Sequence, residues 1–350
     1  MTMATGEKSI LIQAMAVQER KMRNAWFIIH PIPNNVLRNF KTFEGIHSLI
    51  EQEGYRSYLL GINSAFVGSF LYAKGGQVPN DFVLSDCIRW LDTCNHSKGW
   101  ETSNLPSPCV DSIIGVYGDS LYILPGLYKY GYYDMDEDSY YTEREGYIWN
   151  TRDNKCHETK IPPPIVEGGK RQWRRIRACA ALDGEGLLIA MDGENNTNFY
   201  LHPEPENKAR DWEEFGRNPL PRFTGETSFA ASKVRLYILE VPSSSPAWLY
   251  VYNTNEMKLE TKQSIDDLRL MDDLWSMDEW DRVVRLVPVA DDRLGFLWLG
   301  PFENGNGWPP IKNLHYLNIK FSINANPAVE VVDYKIYRLN ITDLLDCLPL

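Results

Sequence analysis

The sequence predicts an all-β protein in which four-stranded antiparallel sheets recur and close into a β-propeller. Two observations carry that expectation. A small or polar turn followed by an apolar and aromatic run recurs as GSFLYAKGG (68–76), GDSLYILPG (118–126), ASKVRLYILEV (231–241) and DDRLGFLWLG (291–300). A second β-like run and a polar tail then follow, so that CIRWLDTCNHSKGWETSNLPSP, GYIWNTRDNKCHETKIPPP, NFYLHPEPENKARDWEEFGRNPLP and AWLYVYNTNEMKLETKQSI can be laid over one another. The repeat starts, at Gly68, Gly118, Gly184, Ser232 and Asp292, lie roughly 50 to 65 residues apart, the spacing of propeller blades with insertions. A blade has two apolar faces and cannot bury both alone, whereas in a ring each blade packs against two neighbours.

The elements follow in order. The N-terminal segment 1–56 is irregular and holds two candidate strands, SILIQAMAVQ and NAWFIIHPI. Five repeats occupy 57–340, within a single domain of 1–350. Inside a blade the strands read VDSIIGVYG, DSLYILPG, GYIWNTRDN and CHETKIPPP, and in the last blade RVVRLVPVAD, RLGFLWLGP, LHYLNIKFSI and VEVVDYKIYRLN, all rich in β-branched and aromatic residues. The expectation is six blades, the N-terminal strands forming an irregular sixth. The alternative is five, with one N-terminal strand closing the fifth. Residues 34–54 and 264–280 have apolar spacing compatible with short helices in linkers.

The units SFLYAKGG, SLYILPG and KVRLYILEV, with YIWNTRDNKCHE and LYVYNTNEMKLE, resemble kelch repeats of the divergent plant type over roughly residues 57 to 340. The double glycine of that family stands only at Gly75-Gly76; Pro125-Gly126 and Asp192-Gly193 take its place in the next two units. No F-box pattern precedes the repeats. The resemblance implies a ring that presents its loops to a partner.

Composition narrows the function classes. An apolar content of 43% with 24% charged residues is that of a chain folded throughout, and a formal net charge of −11 argues against nucleic acid and anionic membranes as partners. KRQWRRIR (170–177) is one short basic run, read as a loop entering a strand. The N-terminus reads neither as a signal peptide nor as a membrane span. Six cysteines without a CxxC pair or zinc-ligand spacing read as reduced thiols of a cytoplasmic, possibly nuclear, monomer.

The catalytic inventory is thin. Six histidines are scattered, no HExxH or GxSxG motif occurs, and no catalytic residue, metal ligand or cofactor is assigned. Asp92 and His96 have the spacing of the iron ligands in the plant kelch proteins that redirect glucosinolate breakdown, but Ile88 stands where that family has Glu. DGEG (183–186) and DGEN (192–195) read as hairpin turns rather than calcium loops.

Alternating strand direction puts every connection between strands two and three on one rim, together with the linkers between blades. That rim would carry 75–83, 127–146 and 301–310. The middle segment interleaves Tyr128, Tyr130, Tyr132, Tyr133, Tyr140 and Tyr141 with Asp134, Asp136, Glu137, Asp138, Glu143 and Glu145. Flat aromatic faces beside carboxylates suit a cation. The candidate binding residues are therefore Tyr130, Tyr132, Tyr133, Asp134, Asp136, Glu137, Asp138, Tyr140, Tyr141 and Trp308. The expected function is a non-catalytic module that binds a protein or basic peptide. The alternative is an enzyme or binding protein for a small, cationic metabolite in the central pocket.

Overall fold

The computed structural model describes residues 10–18, 21–29, 63–74, 87–95, 98–106, 112–124, 145–160, 165–167, 170–172, 176–182, 184–192, 196–203, 212–215, 220–221, 223, 226–232, 235–242, 246–256, 258–265, 284–290, 292–302, 312–322 and 329–349. Two compact units contain them, Ser57–Arg222 and Met1–Arg56 with Phe223–Leu350.

The chain begins with a hairpin of β1 (Ile10–Gln18) and β2 (Lys21–Ile29). Blade one is β3 (Asn63–Val67), β4 (Phe70–Lys74), β5 (Cys87–Asp92) and β6 (Glu101–Asn104). Blade two is β7 (Ile113–Tyr117), β8 (Ser120–Leu124), β9 (Glu145–Asn150) and β10 (Lys155–Lys160). A small hairpin, β11 (Ile165–Glu167) and β12 (Lys170–Gln172), precedes blade three. That blade is β13 (Ile176–Leu182), β14 (Gly186–Asp192) and β15 (Asn196–Pro203), with β16 (Glu213–Glu214) and β17 (Leu220–Pro221) sharing its outer edge. Blade four is β18 (Glu226–Ser232), β19 (Arg235–Val241), β20 (Trp248–Asn253) and β21 (Lys258–Ser264). Blade five is β22 (Val284–Ala290), β23 (Arg293–Phe302), β24 (Lys312–Phe321) and β25 (Val329–Pro349). All pairings are antiparallel and each blade is a meander. The described residues contain no α-helix, and both helices expected from the sequence lie outside them past Ile265 and over 34–54.

The recurring turn is the hairpin between strands one and two. Gly68, Gly118 and Gly184 take φ values of +58°, +58° and +74° there, a conformation open to glycine at little cost. The recurring Asp/Asn-Thr pair at the end of strand three locks onto that hairpin. Thr93 donates its amide (3.0 Å) and hydroxyl (2.6 Å) to the Ser69 carbonyl, and Thr151 does the same to Asp119 at 3.0 and 2.8 Å. The preceding side chain caps the next turn: Asp92, Asn150 and Asn253 each accept a main-chain N–H at 2.9 Å, from Cys94, Arg152 and Glu256. The repeated motif thus satisfies backbone groups that a tight turn would leave unpaired.

Burial follows the two-faced logic of a blade. In the unit Ser57–Arg222, Val67, Tyr72, Ile88 and Trp90 of blade one pack with Leu121, Ile123, Tyr147 and Trp149 of blade two. The other face of blade two, with Tyr122 and Leu124, meets Ile176, Leu187, Ile189 and Met191 of blade three. Gly115 in β7 permits that approach, since a Cβ there would meet Leu187 at 2.8 Å and the Cys179 sulfur at 2.9 Å. In the second unit, Tyr237, Leu239, Leu249 and Val251 of blade four pack on Leu286, Phe296, Trp298, Leu317 and Ile319 of blade five. First strands lie side by side, and Ser228 of β18 accepts the amide of Leu286 in β22 at 2.7 Å.

The described residues form five blades, not the six expected. The N-terminal strands build no sheet of their own; they extend blade five in the order β2-β1-β25-β24-β23-β22. The reason is the length of β25, 21 residues. Its first part, from Val329, pairs with β24, and its last part, Ile341 to Pro349, pairs with β1. Ile10, Ile12 and Ala14 of β1 then pack on Val287, Val289, Leu297, Leu299, Leu314 and Tyr316, the face of blade five turned away from blade four.

Candidate functional site

The blade topology assigns each long insertion to a connection. Residues 75–86 join β4 to β5, 125–144 join β8 to β9, and 303–311 join β23 to β24, all between strands two and three. The residues singled out from the sequence, from Tyr130 to Tyr141 and Trp308, belong to these connections and lie outside the described residues. The strands that hold the acidic segment are described. β8 is buried along its whole length, and Tyr147 and Trp149 of β9 are buried beside it.

The connection from strand two to strand three also carries buried charge, blade by blade. Among the described residues, the buried Asp, Glu, Lys and Arg side chains are Lys74 at the end of β4, Glu240 near the end of β19 and Lys312 at the start of β24. Taking a charge out of water costs several kcal/mol before its partners are counted. Each of these three stands where strand two gives way to strand three.

Blade four shows what one such charge does. Glu240 stands opposite Trp248 in register, and its Oε2 accepts the Tyr250 hydroxyl at 2.8 Å. Burial, then the Glu240 hydrogen bond and charge, push the Tyr250 phenol well above its ordinary pKa. Across β20, Lys262 lies opposite Tyr250 and places its ammonium 4.2 Å from the Trp248 ring centroid and 5.2 Å from that of Tyr250. Phe223 meets Tyr250 edge-on at 5.6 Å. The sequence reading missed this cluster. Its four strand residues, Glu240, Trp248, Tyr250 and Lys262, share one face only once the strand register is known, although alternation in LYILEV and WLYVYN carried part of the signal.

Among the described residues, the two buried histidines serve packing. His202 is buried between the Tyr122 and Trp212 rings, at 5.3 and 5.0 Å, and its Nδ1 shares a hydrogen bond with the Tyr122 hydroxyl at 3.2 Å. Burial raises the Tyr122 pKa. His315 lies against Trp298 at 5.2 Å and shares a 2.7 Å hydrogen bond with Tyr334. Gly300 leaves room for that ring, where any Cβ would collide with His315. Asp92 is engaged by the Cys94 amide in a turn, and His96 lies outside the described residues. Gly184 and Glu185 turn between β13 and β14, while Asp183 of DGEG and residues 193–195 of DGEN lie outside the described residues. Among the described residues no group of three His, Cys, Asp or Glu side chains is placed to hold a metal ion.

No protein family profile matches the chain, and no curated protein matches it. Solved structures do. The chain is similar to the fungal lectin of Aleuria aurantia, a six-bladed β-propeller with a fucose recognition mode of its own, at 8% identity and a TM-score of 0.52, covering 96% of this chain and 97% of the lectin. A mutant of that lectin in complex with α-methyl-L-fucoside gives 9% identity and a TM-score of 0.53, covering 96% and 98%. The structure of YjhT aligns at 10% identity and a TM-score of 0.49, covering 93% and 97%. At such identities the likeness to the lectin establishes the β-propeller fold and nothing about ligand.

Proposed function

We propose that this chain is a non-catalytic interaction module, kelch-like in its repeats, that presents its acidic, tyrosine-rich insertion to a basic peptide or a protein with an Arg/Lys-rich surface. We place it in the cytosol or nucleus, acting as a monomer. The observation that carries the reading is that 125–144 connects β8, buried along its length, to β9, which buries Tyr147 and Trp149. A long connection held by a rigid scaffold is where folds of this kind put recognition. Its composition supplies what a cation needs: carboxylates for long-range attraction and phenol rings for contact. The alternative, a small cationic metabolite as ligand, draws support from the Trp248, Tyr250 and Glu240 cluster, which is chemically suited to an ammonium group.

The test is the variant carrying Asp134→Asn, Asp136→Asn, Glu137→Gln and Asp138→Asn, assayed against Arg/Lys-rich peptides recovered by pull-down from native extract. Its melting temperature is expected to stay nearly unchanged, as it should if the four carboxylates act in recognition rather than in folding. Association slows, and the salt dependence of the wild-type rate around 0.15 M, where the screening length is roughly 8 Å, is largely lost. Unaltered rate and salt dependence would discard the insertion as the working surface.

A further inference from the structure

Blade four holds a second cation-binding feature, far in sequence from the acidic insertion. Trp248 and Tyr250 form a two-ring platform on one face of β20, with the Lys262 ammonium above it at 4.2 and 5.2 Å. The platform is pre-shaped. Tyr250 is held at its hydroxyl by Glu240 and along its ring by Phe223, and both Glu240 (5% exposed) and Tyr250 (2% exposed) are buried. A carboxylate accepting a hydrogen bond from the phenol polarises the ring toward higher electron density and adds a negative charge behind it, so both terms favour a cation in front. Lys262, by contrast, is exposed, and its long stem can swing into water.

We infer that Trp248 and Tyr250 are a binding site for an alkylated ammonium group, and that Lys262 is its built-in occupant, displaced when ligand arrives. The choice of a cationic ligand rests on the function proposed above; the site itself rests on the geometry of blade four. A primary ammonium is strongly hydrated, whereas a methylated one sheds water more easily and covers more of each ring. The ligand therefore outcompetes the lysine. A cation–π contact of the strength usual at exposed sites keeps the platform closed roughly two to five times as often as open. Removing the occupant should accordingly tighten binding about three- to sixfold, the reciprocal of the open fraction.

The experiment titrates the full chain with tetramethylammonium, with a trimethyllysine peptide and with the same peptide unmodified, following tryptophan fluorescence. Lys262→Ala is expected to bind the first two about three- to sixfold more tightly than wild type, and the unmodified peptide more weakly than its methylated form. Lys262→Ala combined with Trp248→Leu loses the gain, with the melting temperature confirming that the variant is folded. Response to tetramethylammonium alone identifies a free amine as the ligand source, and response to the peptide alone identifies a modified protein; both support the site. Affinity in Lys262→Ala no higher than in wild type, or a gain that survives Trp248→Leu, overturns it. Repeating the titration in the Asp134, Asp136, Glu137, Asp138 variant separates the two proposals: a gain retained there keeps this site whether or not the insertion proves to be the docking surface.

Discussion

The hydroxyl of Thr151 donates to the carbonyl of Asp119 at 2.8 Å, fastening the end of strand three to the hairpin between strands one and two. Thr93 and Ser69 repeat the arrangement in blade one at 2.6 Å. Replacing Thr151 by Ala should cost about 1 kcal/mol, the usual net value of a side-chain hydrogen bond. Since the two latches belong to different blades, the Thr93→Ala and Thr151→Ala effects should add within about 0.5 kcal/mol in urea unfolding.

Trp149 and Trp298 are buried at 2% and 0% exposure, each between two blades. Changing either to Ala should cost roughly 3–5 kcal/mol. Their indole N–H groups have no hydrogen-bond partner. Trp→Phe at these sites should therefore cost clearly less than Trp→Ala. Equal losses would show that the N–H matters and that the packing account is incomplete.

Tyr316 is 1% exposed and its hydroxyl has no partner, so burial above all raises its pKa. Tyr122, Tyr250 and Tyr337 are raised in the same direction, chiefly by burial. A phenol whose folded pKa exceeds its unfolded value, about 10, contributes stability that is complete below that value and is lost as pH rises through the folded one. Unfolding should therefore set in above about pH 10, with phenolate absorbance appearing together with loss of structure rather than before it. Tyr316→Phe should leave neutral-pH stability unchanged or raise it by about 1 kcal/mol, because it removes an unsatisfied buried hydroxyl.

Ile12 is fully buried on the face of blade five. If β1 is an integral part of that blade, Ile12→Ala should cost about 2–5 kcal/mol in global unfolding. A loss below about 1 kcal/mol would make the β1–β2 hairpin an appendage that frays independently.

The repeat was legible because its signals are local. Turn glycines, Asp/Asn-Thr pairs and alternating strands place β7 to β10 and β22 to β24 within about four residues of where they lie, whereas β25 runs on from Asn340 to Pro349. Blade number was not, because it depends on what β1 pairs with, and that is fixed by residues 341–349 at the far end of the sequence. The acidic insertion could be assigned to a connection from the repeat alone. The Trp248 platform could not, since Glu240, Tyr250 and Lys262 meet across three strands whose register follows from hairpin geometry and a bulge in the β20–β21 pairing.

The pairing of Ile10 with Pro349 also orders the events of biosynthesis. As the chain leaves the ribosome, β1 emerges well over three hundred residues before its partner segment of β25, so the apolar side of β1 that carries Ile10, Ile12 and Ala14 has no native sheet to join until all five blades have been made. The strands of blade one, by contrast, pair only with neighbours in sequence and its packing partner, blade two, follows directly. An emerging chain would thus carry an unsealed strand until β25 appears, a natural substrate for a holdase chaperone. A circular permutant that fuses the two ends and opens the chain between blades would present β1 and β25 together and dispense with that wait.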